Sequence, residues 1–166
     1  MDLLLNKFLS LLEGETDLYR SLLSILQSEK KAVVLSNLKE LNESSKEKEN
    51  LILKIRILEE QRSKLLEKIA DNLGHSCQVL TLSRLAEMVE EPYSTRLRYN
   101  YSILSTLVHS IQEVNNANKT LILHSLELVR GSLALFGNLI EPNSIYFRTG
   151  EVKPRGQSGM LICGST

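Results

Sequence analysis

Residues 93–136 read YSTRLRYNYSILSTLVHSIQEVNNANKTLILHSLELVRGSLALF, and the spacing of their apolar side chains decides the fold. Leu97, Tyr101, Leu104, Val108, Ile111, Ile122, Val129, Leu133 and Phe136 recur along the run, with Asn115 and Asn118 occupying the two steps between. Steps that alternate between three and four predict a helix with a coiled-coil seam. No proline interrupts it. At roughly 1.5 Å per residue, the stretch makes a rod about 65 Å long. A helix of that length needs a long partner beside it, in this chain or in another. Amides on an otherwise apolar seam need hydrogen-bond partners and can fix helix register. For Asn115 and Asn118 an exposed binding edge and incidental exposure remain the alternatives.

Working outward, residues 2–26 form a leucine-rich helix. Leu4, Phe8, Leu11, Leu12, Leu18, Leu22, Leu23 and Leu26 share one broad stripe that also takes in Glu15 and Tyr19. Gly14 costs such a helix only about 1 kcal/mol. Residues 27–36 carry the short apolar group Ala32-Val33-Val34-Leu35, which suits either a continued helix or a brief extended link. Asn37 followed by Glu40 has the spacing of a capping box and starts a second long helix reaching about Asn72. Its first half is polar from Ser44 to Glu49 and predicts a solvated stretch at 43–50; Ile52, Ile55, Leu58, Leu65, Leu66, Ile69 and Leu73 predict a packed seam beyond it. Gly74 is a stop signal. A short helix follows around Leu82 to Met88, capped by Thr81 or Ser83, and Pro92 separates it from the long rod.

The fold class expected is therefore all-α: an elongated antiparallel helical hairpin or coiled coil of residues 37–72 and 94–136. An additional N-terminal helix packs alongside it or extends one end. Residues 1–136 make the helical body. After Phe136 the helical period ends and five of the eight glycines fall in the last 30 residues, with Pro142 and Pro154, so residues 137–166 read as a flexible tail. Ile140, Ile145, Tyr146 and Phe147 are apolar anchors within it, suited to binding another protein or to packing on the chain's own helices.

Composition excludes several classes. Twenty basic residues balance twenty acidic ones, which gives no nucleic-acid footprint. Cys77 and Cys163 are isolated and give no warrant for an oxidising compartment. His75 and Cys77 have no further ligands at structural-metal spacing, so no metal or cofactor is expected. No stretch supplies nucleophile, base and oxyanion donors together, and no enzyme activity is expected. No basic leader precedes an apolar segment, and no uninterrupted apolar run approaches membrane length. The default is a soluble, cytoplasmic protein without membrane insertion.

The order of these features resembles the FlgN family of flagellar export chaperones. The early leucine-rich helix carries the resemblance, with Lys48-Glu49-Asn50-Leu51 leading to Leu58-Glu59-Glu60-Gln61-Arg62, then Leu65-Leu66 and Leu73-Gly74. It continues through Ile111-Gln112-Glu113-Val114-Asn115-Asn116-Ala117-Asn118-Lys119-Thr120-Leu121-Ile122 and Ser125-Leu126 to Phe136, and on to Tyr146 and Gly150. The resemblance implies a cytoplasmic chaperone that binds and protects hook-filament junction proteins. It would deliver them to the type III export gate or ATPase complex. The implied client site lies at the end of the long helix and just after it: Leu126, Val129, Leu133, Phe136 and Ile140, with Tyr146 as a client or export-gate contact. The alternative is a homodimeric coiled-coil scaffold or adaptor unrelated to export, in which the same seams pair between chains of a homo-oligomer.

Overall fold

The computed structural model describes residues 1–74 and 80–140. Four helices account for nearly all of them: α1 (Asp2–Val34), α2 (Leu38–Leu73), α3 (Leu82–Met88) and α4 (Tyr93–Ile140), with no strand among the described residues. By packing, the chain divides into Met1–Leu123 and a second unit that begins at His124.

The ambiguous residues 27–34 are helical, and α1 ends with a turn that no glycine announces. Ser36 takes φ 53°, the left-handed conformation. Its N–H donates to the Val33 carbonyl at 3.1 Å, while the Asn37 N–H reaches back to the Ala32 carbonyl at 2.8 Å. This pair of bonds is the Schellman pattern, which closes a helix by satisfying its last carbonyls. Asn37 then starts α2: its Oδ1 accepts from the Glu40 N–H at 3.2 Å, and its Nδ2 donates to the Glu40 carboxylate at 3.0 Å. The reciprocal half of the cap thus uses the Asn37 side chain in place of its backbone N–H. At the other end Gly74, at φ 71°, closes α2 in the conformation that favours glycine. Thr81, not Ser83, caps α3, its Oγ1 accepting from the Arg84 N–H. The Glu91 carboxylate accepts from both the N–H and the hydroxyl of Thr95 at the head of α4.

Within Met1–Leu123, cross-helix side-chain bonds give the helix directions. Glu15 meets Arg62 at 2.8 Å, the Tyr19 hydroxyl donates to Glu59 at 2.5 Å, and Lys48 donates to Glu29. Rising numbers on α1 meet falling numbers on α2, so the two are antiparallel. Tyr93 accepts from Asn6, Arg96 pairs with Glu13, and Asn118 donates to the Leu26 carbonyl. There the numbers rise together, so α4 runs along α1 in the same direction and antiparallel to α2. The N-terminal helix accordingly packs alongside both members of the expected hairpin.

Two apolar clusters form the core. Leu5, Phe8, Leu9 and Leu12 of α1 close on Ile69 and Ala70 of α2, Leu80, Leu85 and Ala86 around α3, and Leu97 of α4. Farther along, Leu22 and Leu26 pack on Leu51 and Ile55, with Ile111 and Val114 against them. Each fully buried leucine or phenylalanine contributes about 1.5–3 kcal/mol. Between the clusters on α1 lie Glu15 and Thr16, both buried. Burial raises the Glu15 pKa, and the Arg62 guanidinium opposes that shift. The Thr16 hydroxyl donates to the Leu12 carbonyl at 2.8 Å, which satisfies it within its own helix. The expected solvated stretch at 43–50 is mostly exposed, yet Ser44 is buried and Lys48 reaches in to Glu29.

Candidate functional site

Helix α4 carries every described position proposed for binding or register. As far as Leu121, its inward residues are Leu97, Asn100, Leu104, Leu107, Ile111, Val114, Asn118 and Leu121, all buried or half-buried and spaced alternately by three and four. This seam shares Leu97, Leu104, Ile111 and Asn118 with the one read from the sequence. At the intervening positions Val108 and Ile122 are half-buried, as Leu107 and Leu121 are, so the two lines part only at Tyr101 and Asn115. Tyr101 is about half exposed and Asn115 is exposed, while Asn100 and Val114 turn inward. A one-residue offset is a 100° rotation, and α4 has apolar side chains on both sides of its buried line, so hydrophobicity alone could not choose between them. Asn100 is satisfied within its own helix: its Nδ2 donates to the Arg96 carbonyl one turn back, at 2.9 Å.

Asn118 is 1% exposed. Its Nδ2 donates to the Leu26 carbonyl at 2.7 Å and to the Glu29 carboxylate at 3.0 Å, while Lys48 donates to the other oxygen of Glu29. Three helices thus meet at one buried carboxylate. The Asn118 Oδ1 is buried and receives no hydrogen bond. Exchanging its amide N and O would set an oxygen against a carbonyl and a carboxylate, so the donor geometry fixes the orientation. Glu29 and Lys48 were not singled out from sequence. They stand on separate helices, and the only available signal was a glutamate on the α1 stripe two heptads after Glu15.

In the second unit α4 continues with a different character. Leu126, Val129, Leu133 and Phe136 follow at steps of three and four, and all are exposed, from 47% at Leu126 to 64% at Leu133. Leu128 and Leu135, which broaden this apolar face, are exposed as well. Glu127 and Arg130 are the charged side chains between His124 and Ile140. Gly131 and Gly137 also lie here, and an added Cβ at either would meet nothing within 4 Å. They are therefore not needed for close packing among the described residues, although each weakens the helix by about 1 kcal/mol relative to alanine. Ile140 is the last residue of α4; Tyr146, the 137–166 tail beyond Ile140 and the His75–Cys77 pair lie outside the described residues.

A helical face of this kind binds by apolar contact. Its three-and-four spacing suits a second helix laid against it, and its scarcity of charge leaves little role for ionic steering. Judged by length and composition alone, Tyr93–Gly137 is a helix that could cross a membrane. Its mean hydropathy is high enough for this although charged and polar residues interrupt every apolar run. Among the described residues no group of three or more His, Cys, Asp or Glu is placed to hold a metal.

Comparison with known proteins adds one match. The family model described as FlgN protein matches residues 1–154. No curated protein and no solved structure matches the chain.

Proposed function

The chain belongs to the FlgN family of flagellar export chaperones, and we propose that its clients are hook-filament junction proteins, held through the exposed apolar face of α4. The role is one of binding, without catalytic group or cofactor. The observation that carries this reading is the run Leu126, Val129, Leu133 and Phe136, four large apolar side chains at helical spacing and each about half exposed or more. Apolar patches of this kind on a soluble chain mark interaction sites. An amphipathic terminal helix of the client would lie along them, and Ile140 and Tyr146 would extend the contact into the tail. Shielding that helix before export and releasing it at the type III export gate or its ATPase complex would take place in the cytoplasm.

Calorimetry with purified junction proteins tests this proposal. Leu133→Ser/Phe136→Ser should weaken client binding by roughly 10-fold or more, within the range of anchor residues. Because both side chains are exposed, the helical circular dichroism should be unchanged. Removal of residues 137–166 should also weaken capture while leaving the helical signal largely intact. Unchanged affinity in both variants would move the client site elsewhere.

A further inference from the structure

The side of the α1–α2 pair carries a feature for which α4 has no use. Between the start of α1 and the end of α2 runs an open groove of about 420 Å³. Its floor is Leu11 and Leu65, both half-buried, and its rims carry Lys7, Lys64 and Lys68. The remaining lining residues, Ser10 and Gln61, are neutral, so no carboxylate lines it. Lys64 is engaged by Glu60 at 2.6 Å, with Glu67 close by. Lys7 and Lys68 have no ion-pair partner among the described residues, which leaves two unmatched cations facing each other across an apolar floor.

The surface continues past the groove at both ends. On α1, Leu3 stands one turn before Lys7 on the same face and is 70% exposed. On α2, Ile57 stands one turn before Gln61 and is 55% exposed. Each wall thus carries an exposed apolar residue beyond the groove, Leu3 at one end and Ile57 at the other, so apolar surface runs along its length.

We propose that this groove is a second docking surface, and that its occupant is an acidic amphipathic helix of a partner protein. Apolar residues of the occupant would rest between Leu11 and Leu65, which stand opposite each other, and against Leu3 and Ile57 farther along, while carboxylates on its flanks would reach Lys7 and Lys68. The charge pattern selects the sign of the partner, and the apolar floor selects a helix over a small anion. Two unmatched lysines without an aromatic between them do not make a nucleic-acid track. The site is distinct from the α4 face, so the inference does not depend on client capture there.

Fluorescence anisotropy on the full chain tests it. The probe is a fluorescein-labelled helical peptide with leucines one turn apart and glutamates on both flanks; the same peptide with lysines in place of glutamates and phosphatidylglycerol vesicles serve as comparisons. The acidic peptide should bind, and more weakly as salt rises. Lys7→Glu/Lys68→Glu should cut its affinity about tenfold or more with unchanged circular dichroism, since both side chains are exposed. Leu133→Ser/Phe136→Ser should bind it as the natural chain does, and amide shifts on binding should centre on Ser10, Leu11, Gln61 and Leu65. The inference is overturned by no binding of the acidic peptide, by equal binding of the lysine peptide, or by an unaffected charge-reversal variant. Retention on vesicles without peptide binding overturns it in favour of a membrane surface.

Discussion

The Glu15–Arg62 pair offers the sharpest test of how the α1–α2 hairpin is held. The Glu15 side chain is 3% exposed and the Arg62 side chain 30%, so the acid depends on its partner far more than the base does. Arg62→Met keeps the aliphatic stem over the helix and deletes the charge. Breaking a buried pair from one side costs about 3–5 kcal/mol because the remaining charge is stranded. Water reaches the Arg62 side, which places the expected loss at the lower end, about 3 kcal/mol at pH 7. The pH dependence then has a definite sign. Burial already holds the Glu15 pKa above its ordinary value of 4.5, with Arg62 as the main influence lowering it, so the substitution raises it further. The folded state therefore keeps a proton that the unfolded state releases. Stability attributed to Glu15 is greatest below the unfolded pKa and declines as pH rises through the folded one. Urea unfolding followed by circular dichroism should show the Arg62→Met deficit in full at pH 7 and a smaller one as pH falls toward 4.5. Glu15→Leu/Arg62→Met should recover most of the loss. A deficit of equal size across that range, or a double variant no better than the single, would refute the stranded-carboxylate account.

Two further substitutions test the turn and the α4 contact. Ser36→Gly should raise stability by up to about 1 kcal/mol, read as a higher urea midpoint at unchanged slope, because Ser36 occupies the left-handed conformation that glycine adopts without steric penalty. Asn118→Asp keeps the shape but turns a donor into an acceptor facing the Leu26 carbonyl and Glu29; it should cost about 3 kcal/mol or more near neutral pH, with partial recovery in acid, in the same unfolding assay.

Much of the helical layout was legible because its signals are local. The Asn37 cap, the Gly74 stop and the Thr81 cap each depend on residues within one turn of one another. What escaped the sequence depends on distance or rotation. Residues 27–34 remained ambiguous because their terminator is a serine in a glycine's conformation. The α4 seam differs from the sequence pattern at Tyr101 and Asn115, where Asn100 and Val114 turn inward instead, because two lines of side chains lie next to each other and only packing against α1 and α2 chooses between them. The apolar repeat from Leu126 to Phe136, proposed above as the client face, was legible as a pattern. Its exposure was not, because the same repeat serves equally well as a buried seam. Glu29 and Lys48, nineteen positions apart, become neighbours only once the turn at 35–37 has closed.

The two buried ion pairs carry information about register that leucines do not. Glu15–Arg62 and Glu29–Lys48 are two heptads apart on each helix, so both demand the same antiparallel alignment. Leucine-rich seams tolerate a slip of one heptad, since apolar residues again meet apolar residues. Here such a slip would set Glu15 against Ile55 or Ile69, and Glu29 against Leu41 or Ile55, burying two carboxylates without partners. The penalty of several kcal/mol for each stranded charge makes the alternatives unfavourable even if the native pairs contribute little net stability. Asn118 ties α4 to the same carboxylate as Lys48, so the alignment chosen between α1 and α2 also sets where α4 docks on α1. A glutamate that looks like a flaw in an apolar stripe thus gives three otherwise slippery helices a single register.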